Sequence, residues 1–188
     1  MLLFLILPFI PTVIPARPGF IDTGNVEWRD CGNPADTWVS ISDFDVTPKP
    51  VPMSGDMYVL LTTELKHQLN SAVSIDALWE MDIQGNYTAI FCKQNSGTCQ
   101  FGDICNFLTS LSSLVWPSGC PKQLADNGLP CTCPFNPTQI NLPRVKFTNT
   151  LIPALSWVIT GSHHIKLSLK DKTNSIVRGC LEVYLDTG

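Results

Sequence analysis

Charge is what this chain has least of. Only 15% of its 188 residues are Asp, Glu, Lys or Arg, against 44% hydrophobic, which makes an apolar surface for a soluble domain. No basic run occurs and the net charge is −4, so nothing here tracks a phosphate backbone and nucleic acid is a poor partner. Long uninterrupted segments are also missing. Fifteen prolines and twelve glycines cut the chain into short pieces, which argues against long helices and for many short strands. Beyond residue 16 no apolar run approaches the ~20 residues of a membrane-spanning helix. Hydrolase signatures are absent: there is no G-x-S-x-G elbow and no H-E-x-x-H. No internal repeat or low-complexity tract interrupts what reads as one domain.

What is present begins with a leader. Residues 1–16, MLLFLILPFIPTVIPA, are apolar and uncharged, with Ile14-Pro15-Ala16 as a small-residue cleavage site. They read as a secretory signal peptide, being too short and too proline-broken to span a membrane, although the usual basic residue after Met1 is missing. Residues 17–188 would then form a single domain. Asn86-Tyr87-Thr88 is a glycosylation acceptor placed after the turn residue Gly85, in keeping with an extracellular or luminal chain. The sequence pI of about 5.2 brings the net charge towards zero near pH 5, which lessens repulsion from anionic lipid surfaces.

Eight cysteines follow the same logic. Six fall at 92, 99, 105, 120, 131 and 133, and Cys31 and Cys180 stand near opposite ends. Cys131-x-Cys133 could bind zinc in a reducing compartment, but an even count behind a leader reads as a disulfide framework. Eight cysteines allow 105 connectivities, and the spacing alone does not choose among them.

Strand patterning dominates the rest. Val73 to Ile83 is apolar at every odd position, with Ser74, Asp76, Glu80 and Asp82 among the even ones, so one face is dry and the other wet. Gly85-Asn86 ends it, and Tyr87 to Cys92 should return as a hairpin. Val26 to Cys31 alternates too. Between Trp38 and Val46 the apolar positions change phase, from Val39 and Ile41 to Phe44 and Val46, as a bulge would require. Tyr58–Leu65, Ile140–Phe147 around Pro143-Arg144, Ile165–Leu169 and Leu181–Leu185 complete about eight strands. One helix is expected from Ile104, Phe107, Leu108, Leu111, Leu114 and Val115, with Asp103 as N-cap and Trp116-Pro117 as its stop. The fold class is all-β, a sandwich or cup of antiparallel strands with one short helix.

Adjacent His163-His164 point to opposite faces of a strand and cannot share a metal; the expected place for them is the surface. Asp76, Glu80 and Asp82 share a strand face and are best explained as solvated side chains. Neither group makes a catalytic constellation, and no metal or cofactor is implied.

Several stretches resemble one family. Gly-Leu-Pro-Cys-Thr-Cys-Pro-Phe at 128–135 is similar to the signature of the lysosomal ganglioside (GM-2) activator family. So are Gly97-Thr98-Cys99-Gln100-Phe101 followed by Cys105, Trp157-Val158-Ile159-Thr160-Gly161, Arg178-Gly179-Cys180, and Trp28 shortly before Cys31. The resemblance spans roughly residues 26 to 186 and is weakest before Cys92. It implies a β-cup of two antiparallel sheets around an apolar cavity, akin in architecture to the MD-2-related lipid-recognition fold. It also implies four disulfides: Cys31–Cys180, Cys92–Cys99, Cys105–Cys133 and Cys120–Cys131. The family's own glycosylation site lies near Ser54-Gly55-Asp56, so Asn86 would be a different one.

The function implied is a non-enzymatic activator that lifts a glycosphingolipid from a membrane and presents it to a soluble glycosidase of the β-hexosaminidase type, in the lysosomal lumen or outside the cell. A lipid with two acyl chains has on the order of 30 methylenes at about 0.8 kcal/mol each, roughly 24 kcal/mol against free diffusion in water. A carrier must therefore be dry inside. Candidate cavity walls are Val73, Ile75, Trp79, Met81 and Ile83, with Leu167 and Val183; an ordinary filled core explains the same pattern equally well. Leu155, Trp157, Val158 and Ile159, with Trp116, are candidates for docking on a membrane at the rim, since tryptophan favours the membrane–water interface. A tryptophan buried in the core is the alternative. A general lipid carrier without a hydrolase partner and a secreted lipid hydrolase are the competing functions.

Overall fold

The strongest alternation in the sequence becomes an 11-residue strand of the larger sheet that pairs with three others. In the computed structural model, residues 16–90, 98–107, 109, 122–129, 131–149 and 160–188 are described. They form ten strands: β1 (Ile21–Asp22), β2 (Val26–Asp30), β3 (Val39–Thr47), β4 (Gly55–Leu65), β5 (Val73–Ile83), β6 (Asn86–Ala89), β7 (Thr98–Phe101), β8 (Thr138–Asn149), β9 (Gly161–Asp171) and β10 (Val177–Thr187). Two short helices accompany them, α1 over 104–107 and α2 (Lys122–Asp126). Every strand pairing is antiparallel. The large sheet runs β1-β2-β10-β9-β5-β6, with β7 also on β5, and the small one runs β3-β4-β8.

Local chemistry explains the joints. Gln84 and Gly85 both have positive φ (57° and 86°), the geometry of a tight hairpin turn that glycine accommodates without a Cβ clash. Register shifts between Ile41 and Asp43, where the sequence changes phase, so the expected bulge is present. A second shift opposite Pro143 and Arg144 lets a proline, which cannot donate to the ladder, sit within β8. Asp103 caps α1, its carboxylate accepting from the backbone N–H of Cys105 at 2.8 Å and Asn106 at 3.3 Å. The remainder of the expected helix, beyond 109, lies outside the described residues. β1, β7 and α2 go beyond the eight strands and one helix expected, each too short to show a period.

Two disulfides have both cysteines among the described residues. Cys31–Cys180 joins the end of β2 to its neighbour β10, and Cys105–Cys133 joins α1 to the segment before β8. Cys99 and Cys131 are also disulfide-bonded. Cys92 and Cys120 lie outside the described residues.

Among the described residues the buried side chains fall into three clusters, two of them joined through Leu129. Val26, Trp28 and Val183 of the large sheet pack on Ile41 and Phe44 of β3, clamping the two sheets along one side. Leu65, Leu69, Val73, Ile75, Ile104 and Phe135 form a second cluster, and Leu124 of α2 packs on Ile140, Leu142 and Val145 of β8 as a third. Gly179 of β10 lies directly against Val39 of β3. A Cβ there would meet Val39 Cβ at 3.0 Å and Leu169 Cδ1 at 3.3 Å, so only glycine fits without displacement.

Candidate functional site

Register places three rows of side chains on the inner face of the large sheet. Ile75, Leu169 and Gly179 form the first; Ala77, Leu167 and Leu181 the second; Trp79, Ile165, Val183 and Trp28 the third. Burial falls steeply along these rows. Trp28 and Val183 are 2% and 4% exposed against β3, Ile165 and Trp79 are half-buried, and Leu167 is 40% exposed. Ile83, at the end of β5, is 45% exposed. Opposite them, Met57, Val59 and Leu61 of β4 and Phe147 of β8 are only half-buried. The sheets therefore meet along β2–β10–β3 and at the Val73–Ile75 start of β5, and among the described residues the inner face around Leu167 and towards Ile83 is only partly covered.

Where the second and third core clusters meet, the gap forms a partly open pocket of about 220 Å³. Val39, Thr63, Leu65 and Leu69 line one side, Leu124, Leu129, Cys131, Phe135 and Ile140 the other, and Ile104 and Leu169 complete it. Apart from the Thr63 hydroxyl, the side chains here offer hydrocarbon and sulfur only. That hydroxyl is already committed, donating to the Ser40 carbonyl at 2.9 Å. Such a lining binds by excluding water and offers nothing to catalyse with.

None of the seven cavity residues singled out in the sequence lines this pocket. Val73 and Ile75 sit behind it in the adjoining core cluster. Trp79, Met81 and Leu167 stand along the partly open inner face, Ile83 at its end, and Val183 in the clamp between the sheets. Leu155, Trp157, Val158, Ile159 and Trp116 lie outside the described residues. The pocket lining from β4, α2 and the 128–135 stretch carried no periodic signal that could have flagged it.

The histidines are a correction. Both were expected at the surface, yet His163 is 1% exposed and His164 8%. His163 faces inward, where the Trp79 indole N–H donates to its Nδ1 at 3.2 Å and its Nε2 meets Thr187 Oγ1 at 3.1 Å. His164 faces outward but is roofed by Tyr184, stacked on it at 4.3 Å, and bridges Glu80 at 2.7 Å and Glu182 at 2.9 Å. Burial pushes the Glu182 carboxyl up, but hydrogen bonds from Arg29 and His164 outweigh it and hold the group below its ordinary value. Burial likewise raises Tyr184 above its ordinary value, aided by the charge of Glu182. The strand carboxylates are paired rather than solvated, Asp76 with Lys170 and Glu80 with His164. This outer network has no nucleophile beside a base. No group of three or more His, Cys, Asp or Glu suited to a metal exists among the described residues.

The chain is similar to known proteins over most of its length. Residues 25–186 match the family described as ML domain. A ganglioside GM2 activator of Macaca fascicularis is 28% identical over 169 residues, covering 90% of this chain and 86% of that protein. A ganglioside GM2 activator of Mus musculus is 28% identical over 188 residues, covering 97% and 94%. Among solved structures, a Niemann-Pick type C2 protein from the Japanese carpenter ant overlaps 86% of this chain and 98% of its own, at 13% identity and a TM-score of 0.40.

Proposed function

The chain belongs to the ML-domain family, and from that premise we propose that it is a lipid-binding activator rather than an enzyme. It takes a glycosphingolipid, or another lipid with two acyl chains, from a membrane into the space between its sheets. It then presents the head group to a soluble glycosidase of the β-hexosaminidase type. The single observation that carries this reading is the inner face of the large sheet, apolar along whole rows and left partly open at Leu167. A filled core would have buried it.

The apolar pocket, at about 220 Å³, is smaller than the roughly 300–1,000 Å³ typical of small-molecule sites, so it takes the ends of the acyl chains. The remaining methylenes lie along Trp79, Ile165 and Leu167. Leu155, Trp157, Val158, Ile159 and Trp116 dock on the membrane during extraction. Cys92–Cys99 and Cys120–Cys131 complete the disulfide set, Asn86 carries a glycan, and the protein acts in the lysosomal lumen or outside the cell.

Transfer of a ganglioside between vesicles at about pH 5, followed with and without β-hexosaminidase, tests the reading. Transfer by the protein alone together with faster head-group hydrolysis in its presence is the expected result, and Trp157→Ala slows both. Transfer without any effect on hydrolysis reduces the function to that of a general carrier. Lipid turnover by the protein alone overturns it.

A further inference from the structure

The segment ahead of β1 lies across the outer face of the large sheet, and Arg17 is fastened there in four ways. Its Nη1 donates to Glu27 Oε2 at 2.7 Å, and its guanidinium carbon lies 3.8 Å from the centre of the Tyr184 ring. Its Nη2 reaches the Tyr87 hydroxyl at 3.5 Å, and its backbone nitrogen stands 3.4 Å from the same Glu27 Oε2. Phe20 continues the contact, edge-on to Tyr184 at 5.3 Å and beneath the guanidinium of Arg29 at 4.5 Å. Together these groups roof His164 and Glu182. An arginine on one carboxylate is ordinary surface chemistry. A backbone amide aimed at that same carboxylate, beside a cavity of about 570 Å³ that also holds Asp22 and Asp186, is more than a side chain needs.

The residue before Arg17 ends the Ile14-Pro15-Ala16 stretch. Taking the cleavage after Ala16 expected above as given, we propose that the α-ammonium it frees on Arg17 is bound by Glu27, clasping residues 17–22 over the His164–Glu182 network. An endoprotease that reads small residues supplies the cut. Water's hydroxyl adds to the Ala16 carbonyl carbon as the C–N bond breaks, and both protons end on the Arg17 nitrogen. The products are a carboxylate on the departing leader and an ammonium on the mature chain. A nitrogen that offered Glu27 one weak donor then offers a full positive charge and two more donors. The clasp is independent of what the inner face binds.

The full-length chain, expressed in a eukaryotic secretory host, should be recovered with an intact mass that begins at Arg17. That free-amine protein is then compared with the same protein acetylated only at its α-amine, by hydrogen exchange at residues 20–22 between pH 6 and 9.5. At pH 6.5 exchange in the free-amine form is expected to be about threefold slower. An ammonium that gains a partner titrates higher when folded, so its contribution is complete below the ordinary α-amino value of about 7.7–8.0 and fades above it. The difference should therefore disappear by about pH 9, and Glu27→Gln should abolish it at every pH. A mature chain starting elsewhere, equal exchange in the two forms, or a difference that survives at pH 9.5 or in Glu27→Gln overturns the proposal.

Discussion

His164 and Glu182 show how a polar side chain on the outward face of a strand can still be buried. Arg29 donates to Glu182 at 2.8 Å and 2.6 Å, His164 meets it at 2.9 Å, and Tyr184 covers the group. Glu182→Gln keeps the volume but removes the charge that Arg29 pairs with, and is expected to cost about 1–3 kcal/mol at neutral pH. The sign of the pH dependence follows from the lowered folded value of this carboxyl. Its contribution is complete above the unfolded value of about 4.3 and is lost as pH falls through the folded value. Thermal unfolding of the two proteins should show a gap that narrows as pH falls below about 4. A gap that widened between about pH 4 and about pH 2 would contradict the assignment.

At the scale of elements, Gly179 lets β10 of the large sheet lie against Val39 of the small one. Valine there puts a branched side chain into Val39 and Leu169, with an expected cost of about 1–3 kcal/mol by denaturant unfolding; an unchanged midpoint would mean the sheets are free to part at that point. β5 was legible because its odd positions are uniformly apolar, and the β3 bulge because the pattern slips by one residue there. The α1 cap was legible because Asp103 precedes helical spacing. β1 spans two residues and α2 five, too few for a period to emerge. The site was legible only in part. A strand pattern tells which face of β5 is dry, but not whether the opposing sheet covers it, and that is decided by long-range packing between β3, β4 and β8. Burial of the histidines was hidden for the same reason, since their cover comes from Trp79 and Tyr184 on other strands.

Across the described residues the two sheets are clamped at Trp28 and Val183 and leave the inner face partly uncovered at Leu167. Val183 and Leu167 lie on the same face of the large sheet, in neighbouring rows and on adjacent strands, yet differ tenfold in exposure, 4% against 40%. A charge at Val183 should prevent folding, because it would be buried against Trp28 without a partner. A charge at Leu167 should leave folding intact and spoil only what the open face holds. The most direct test is native mass spectrometry of the protein after incubation with ganglioside-containing vesicles, alongside Leu167→Asp. The account predicts one two-chain lipid bound per wild-type molecule, and a folded Leu167→Asp protein with at least tenfold less lipid bound. A wild-type protein that stays at its bare mass at every lipid concentration, or a Leu167→Asp protein as fully loaded as wild type, would contradict it.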